Sequence, residues 1–377
     1  MEPIYLDNSS TTKPCEKAIK NIEFALKNSW GNPSSLHRLG VEAEIGVSDA
    51  RNLLAKTLSC RADEIYFTSC GTESNNTAIL GAALSRKKRG NRIVTTAIEH
   101  PSVLEVMKKL EGNGFEIIYL KPDINGIINP DDIKNAVNKN TILVSIMLVN
   151  NEVGSIQPVS VAAEVIKSSG APALLHCDAV QAFGKMPINI KSLGVDLLSV
   201  SAHKIHGPKG IGALFVKKGI TLPPLLLGGG QEKGMRSGTE SVPLIMGFFG
   251  ALEELGNITE NLKKVSELNT YAKQKLLETG IVTINSGDGL PYILNISVVG
   301  YRSETLLHFL ESKNIFVSSG SACAKGEGSF VLKEIGLKSD RIDSALRISF
   351  SRFSKRSDID ALCESLIEAT NKLKKVK

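Results

Sequence analysis

Between residues 65 and 216, short apolar runs alternate with stretches of helical period, and this alternation constrains the fold more than any other feature of the chain. Ile65-Tyr66-Phe67 precedes a helical pattern near Ser74 to Lys88, and Arg92 to Thr96 precedes another near Ser102 to Leu110. Glu116 to Leu120 is followed by an Asn125-Gly126 turn and a helix from Asp131. Thr141 to Val149 gives way to a helical pattern near Val159 to Lys167, and the runs Ala173 to Cys177, Val195 to Val200 and Ile211 to Val216 follow. Strands that are apolar almost throughout, each joined to the next through a helix, predict an α/β fold with a mostly parallel sheet covered by helices on both faces. Such sheets place their chemistry at the carboxyl ends of the strands.

At 377 residues the chain exceeds one ordinary core, which predicts two domains. After Gly228-Gly229-Gly230 the pattern becomes one long helical region from about Val242 to Thr279, then shorter strands and helices. The expected division is a large domain over residues 15–257 and a smaller α+β domain built from residues 1–14 and 258–377. A hydrophobic share of 42% and a charged share of 22%, with no apolar stretch approaching the ~20 residues of a membrane span, predict a protein that does not enter the membrane. Met1 to Asp7 has no basic segment followed by an apolar one, so a cytoplasmic location is expected. The six cysteines form no C-x-x-C pair and no metal-ligand spacing, which predicts free thiols and no metal site. The net charge of +6 lies partly in Arg86-Lys87-Lys88-Arg89 and in the tail from Lys372, both at helix ends and without interleaved aromatics, which argues against nucleic-acid binding.

Two strand ends carry a matched pair. Ser201-Ala202-His203-Lys204 follows the run ending at Val200, and Asp178 with Gln181 follows the run ending at Cys177. An amine that can trap an aldehyde and a carboxylate that can hold a ring nitrogen protonated are what a pyridoxal phosphate site needs. Thr68-Ser69-Cys70-Gly71-Thr72 forms a small-residue turn into a helix, whose free amides suit a phosphate, although Thr72 and Ser74 would cap any helix. Ser201 and His203 can add phosphate donors. Glu99-His100-Pro101-Ser102 and Asn150-Asn151-Glu152 end two further runs; each is weak alone, as a strand-end histidine and a turn signal.

In order along the chain, TSCGTES (68–74), EHPS (99–102), VNNEVG (149–154), HCDAVQAFGK (176–185), SAHKIHGPKGIGAL (201–214), GGGQEKGMRSGT (228–239) and SSGSAC (318–323) resemble the cysteine desulfurase family, the NifS/IscS branch of the class-V, fold-type I pyridoxal phosphate enzymes. The resemblance spans essentially the whole chain and implies a seven-stranded large-domain sheet. It also implies that Lys204 binds the cofactor aldehyde, Asp178 pairs with the ring nitrogen, Gln181 bonds the ring hydroxyl oxygen and His100 stacks on the ring with a catalytic part. The phosphate would be held by Gly71, Thr72, Ser201 and His203 and, from the other subunit of a homodimer with shared sites, Thr239. Arg347 would clamp the substrate carboxylate with Asn151 nearby, and Asn151 would also contact the cofactor.

Cys323 lies in a stretch with three glycines and no apolar periodicity, which predicts a mobile loop, and Lys325 lies close by to favour a thiolate. From the residues alone it is an idle thiol or a nucleophile; the resemblance implies the attacking cysteine. The implied reaction turns L-cysteine into L-alanine, leaves a persulfide on Cys323 and passes that sulfur to an acceptor protein for iron–sulfur assembly or tRNA or cofactor thiolation. Selenocysteine lyase, or another lyase of this fold, is the alternative, and a catalytically idle partner of a sulfur carrier has no use for Lys204, Asp178 and Cys323 together. Three departures stand out: Asn8 and Ser10 replace a common Tyr and Ala, expected to alter only local packing; Cys70 sits in the phosphate turn; and the segment after Cys323 is about two residues shorter than in relatives.

Overall fold

The computed structural model describes residues 2–319 and 328–375. The chain opens with a two-residue strand, β1 (Ile4–Tyr5), and then delivers β2 (Ile65–Thr68), β3 (Arg92–Thr96), β4 (Glu116–Leu120), β5 (Thr141–Ser145), β6 (Leu174–Asp178), β7 (Leu197–Ser201) and β8 (Gly212–Val216). These last seven form one sheet in the order β2-β8-β7-β6-β5-β3-β4, in which β8 alone runs against the others. Every residue of β5, β6, β7 and β8 is buried, which is why these strands read as nearly unbroken apolar runs. Consecutive strands fan out in opposite directions from β5, with β6 and β7 on one side and β3 and β4 on the other. Their carboxyl ends therefore open a crevice where the direction reverses.

The remaining strands are β9 (Thr283–Ile284), β10 (Ile293–Ser297), β11 (Ile315–Phe316) and β12 (Ala345–Ser349). β12, β10 and β9 make an antiparallel sheet, whereas β11 pairs in parallel with β1. An Asp7–Ser349 bridge continues that pairing, so the amino-terminal arm is stitched to strands more than 300 residues away. Among the described residues no helix is long and apolar enough to cross a membrane.

Two features differ from expectation. The single helix expected over 242–279 is two helices, Val242–Glu254 and Ile258–Glu278. Gly256 adopts φ 64°, and the Asn257 side chain accepts the Thr259 and Glu260 amides, a helix stop followed at once by a start. A helix at Glu16–Asn28 also precedes the Gly31-Asn32-Pro33-Ser34-Ser35 segment, its period blurred by exposed Ile19, Phe24 and Leu26. It packs on Val242–Glu254 so closely that a Cβ on Gly250 would lie 2.6 Å from the Lys17 carbonyl oxygen. Gly250→Ala should therefore cost about 1–3 kcal/mol through overpacking.

Candidate active site

The strand ends and the turns beyond them meet around a cavity of about 230 Å³. Its wall takes Gly71 and Thr72 from the helix after β2, His100 and Ser102 from the turn after β3, Asn151 from beyond β5, Asp178 and Gln181 from β6 and its turn, and Ser201, His203 and Lys204 from β7 and a single 3-10 turn. Ser10 of the arm closes another side.

Asp178 is the last residue of β6 and is buried. Its Oδ2 accepts from Asn75 Nδ2 at 2.7 Å and its Oδ1 from the Val180 amide at 2.9 Å, so both oxygens have fixed directions. Asn75 also donates to Ser102 Oγ at 2.9 Å, and Ser102 Oγ lies 2.8 Å from His100 Nδ1. The Ser102 amide donates to that same Nδ1, which caps the helix Pro101–Gly112 and leaves the proton of a neutral imidazole on Nε2. Burial pulls the His100 pKa down, Asp178 opposes this and Lys204 adds to it. Fully buried Glu99 is pushed up to about 8, mainly by burial and with Asp178 adding to it. It therefore stays protonated at neutral pH and keeps a second negative charge from forming behind Asp178.

Lys204 Nζ donates to the backbone carbonyls of Ser9 and, at 2.8 Å, Ser10. Its pKa is lowered to about 8, first by burial and then by Arg347, against the opposing pull of Asp7 and Asp178. A lysine so placed supplies neutral amine near neutral pH. His203 is pushed down to about 3 by burial and by its cationic neighbours, Lys204 first, so it enters the cavity wall as a neutral ring with Nδ1 3.2 Å from Thr11 Oγ1.

The cup at the start of the helix Gly71–Arg86 has the chemistry of an anion site. That helix leaves its first amides without intrahelical partners, and a Cβ on Gly71 would meet Val180 Cγ2 at 2.9 Å. Ser201 Oγ is buried with no partner among the described residues and sits in the same wall. An unsatisfied buried hydroxyl beside free helix amides fits a phosphate, and Asp178 and Lys204 fit the ring nitrogen and aldehyde of pyridoxal phosphate.

Arg347, on β12, stands behind this wall and does not line the cavity. It is 4% exposed, and its guanidinium donates to the Asn151 carbonyl at 3.0 Å, Asp7 Oδ1 at 3.0 Å and Ser10 Oγ at 2.6 Å, while Nε has no partner among the described residues. Ser10 in turn donates to Asp7 Oδ1 at 2.8 Å. The departure at position 10 thus does more than alter packing: it joins the arm to the arginine. Asn8, also buried, ties the arm to the Tyr5 and Ser349 carbonyls. Thr239 is exposed and takes no part in its own chain's cavity wall. Cys323 lies outside the described residues.

Sequence reading gave no role to Asn75, Ser102 or Asp7, which complete the network. Asn75 had a signal: an asparagine inside a helix, three residues after Thr72, is a poor helix former and calls for a side-chain task.

A model of the class-V aminotransferase family matches residues 4–362. The chain is 40% identical, over 99% of its length and 100% of the relative's, to a protein of Bacillus subtilis (strain 168) named putative cysteine desulfurase IscS 1. Among solved structures it resembles a NifS-like protein with a TM-score of 0.93 and 36% identity, covering 98% of this chain and 100% of the other. It also resembles SspA in complex with cysteine, with a TM-score of 0.83 and 33% identity over 93% of this chain and 99% of that one.

Proposed function

The chain belongs to the class-V aminotransferase family and, within it, to the cysteine desulfurases, and from that premise we propose that it is a pyridoxal phosphate enzyme converting L-cysteine to L-alanine with transfer of sulfur to Cys323. The observation that carries the reading is the pairing of Lys204 and Asp178 across a cavity that also holds an unsatisfied Ser201 hydroxyl at a helix start. When bound, the cofactor supplies an aldehyde for the amine and a protonated ring that takes up the electrons of the Cα–H bond. Asp178, fixed by Asn75 and the Val180 amide, would hold the ring nitrogen's proton. Neutral His100 would cover the ring, and Gln181 would meet its hydroxyl oxygen. Ser201, His203, Gly71 and Thr72 would hold the phosphate, with Thr239 reaching it from a second subunit.

Lys204, as a free amine, would move the proton at the substrate Cα; a pKa of about 8 suits both directions of that transfer. Arg347 would bind the substrate carboxylate by exchanging the hydrogen bonds it now makes with Asp7, Ser10 and the Asn151 carbonyl, beside the Asn151 side chain. The Cys323 thiolate would attack the substrate sulfur: the new S–S bond forms as the Cβ–S bond breaks, Cβ keeps that bond's electron pair and takes a proton, the carbon fragment leaves as alanine and Cys323 keeps the sulfur as a persulfide. An acceptor protein then takes the persulfide sulfur. A structurally similar protein solved in complex with cysteine supports L-cysteine as a substrate. The test is alanine and sulfide release from L-cysteine in the presence of a thiol reductant, with L-selenocysteine assayed alongside. Stoichiometric alanine and sulfide from L-cysteine support the assignment; alanine from selenocysteine alone would replace it with the lyase reading.

A further inference from the structure

Lys185 is a buried lysine that the chemistry above does not use. It is 5% exposed, and its Nζ donates to Gln181 Oε1 at 3.0 Å. It also stands 6.0 Å from the centre of the Tyr292 ring. The charges acting on it are both positive, Lys204 and Arg347, and together with burial they pull its pKa down to about 7. A buried ammonium without a carboxylate partner is costly, so its place calls for an explanation.

The turn after β6 supplies the geometry. Gln181 and Lys185 are four residues apart in a helix-like turn held by amide bonds from Ala182 to the Ala179 carbonyl and from Lys185 and Met186 to the Ala182 carbonyl. That spacing sets the two side chains on one face. Gly184 takes φ 71°, and a Cβ there would lie 2.7 Å from Ile205 Cγ2, so the chain can bend at this point only with glycine. On its far side Gln181 Nε2 donates to the Ser9 carbonyl at 2.9 Å. The amide is thus gripped at both ends: its oxygen by a Lys185 N–H, its nitrogen by a carbonyl. Reversing it would set donor against donor and acceptor against acceptor. The second proton of Nε2 is left for the cavity that Gln181 lines.

We propose that Lys185 is a positioning residue that locks the Gln181 amide so that Gln181 meets the cofactor's ring oxygen as a hydrogen-bond donor, a role that rests on the pyridoxal phosphate reading. A donor at that atom favours its deprotonated form, so the lock sets the pH at which bound cofactor changes colour.

The experiment titrates the visible absorbance of the cofactor-loaded protein against pH in wild type, Lys185→Met, Lys185→Gln, Gln181→Leu and the Lys185→Met/Gln181→Leu double variant. Lys185→Met, similar in length but without a donor, should move the midpoint up by about one pH unit. Lys185→Gln, which can still donate, should move it less and carries the comparison where the methionine variant fails to fold. In the Gln181→Leu background the Lys185→Met shift should vanish, because the lysine acts through the amide. Coincident midpoints in wild type and both Lys185 variants would overturn the proposal, and so would an equal shift with Gln181 absent, which would mark a direct effect of the lysine's charge. Wild-type protein that takes up no pyridoxal phosphate would overturn the cofactor reading itself, and the positioning role with it.

Discussion

The two sides of the cavity are built in different ways. On the sheet side, Asp178, Ser201 and Lys204 come from the ends of neighbouring parallel strands, and the register of His176, Cys177 and Asp178 against Leu197, Leu198 and Ser199 fixes their spacing. On the arm side, Arg347 meets Asp7 and Ser10 across about 340 positions of sequence, and a two-residue strand pairing, one Asp7–Ser349 bridge and polar side-chain bonds hold the group together. The sheet side is a preformed cradle in which fixed backbone aims each group. The arm side is a set of exchangeable hydrogen bonds, suited to a substrate that must enter, be held by its carboxylate and leave as product.

The sharpest way to break this contrast is to remove the sheet-side amine. Lys204→Ala should lower turnover by at least ~10³-fold and abolish the visible absorbance of lysine-bound cofactor, whereas a variant that keeps both would remove Lys204 from the chemistry. On the arm side, Arg347→Ala should lower kcat/KM for L-cysteine about 10- to 100-fold through KM, with the cofactor absorbance retained; steady-state kinetics with an absorbance scan checks both parts. Equal loss of cofactor from the two variants would erase the distinction between the sides.

Asn75→Ala tests how much the aim of Asp178 matters. It leaves Asp178 Oδ2 without its 2.7 Å donor in a buried place and should weaken pyridoxal phosphate binding about tenfold, read by equilibrium dialysis. A smaller effect is expected from pH. Because burial lowers Lys204 to about 8, its neutral fraction in the folded protein rises roughly tenfold per unit below pH 8 and levels off above it. The rate at which cofactor-free protein captures pyridoxal phosphate should follow that curve; a rate still climbing steeply beyond pH 9 would show a lysine of ordinary basicity.

How much of this was legible in the sequence follows the same divide. The main sheet could be read because fully buried parallel strands leave apolar runs, and residues such as Asp178 and Lys204 stand out as polar groups at their ends. The clustering of His100, Asp178 and Lys204 followed from that reading. The arm could not be read in the same way. Nothing local in Asp7-Asn8-Ser9-Ser10 announces that its carbonyls receive Lys204 and its side chains receive Arg347. Such contacts depend on β1 pairing with β11, a two-residue match with no pattern of its own. The helix Glu16–Asn28 was hidden for a related reason: its outward face carries Ile19, Phe24 and Leu26, so polar and apolar residues do not separate cleanly around the helix.

The most direct test of the central assignment follows the sulfur. Wild-type protein loaded with pyridoxal phosphate is given L-cysteine without reductant, digested and weighed peptide by peptide, beside Cys323→Ser. The expected result is one added sulfur atom on the wild-type peptide bearing Cys323, none in the variant, and the same cofactor absorbance in both before L-cysteine is added. Sulfur carried instead on another cysteine, or alanine released by Cys323→Ser at the wild-type rate, would contradict it.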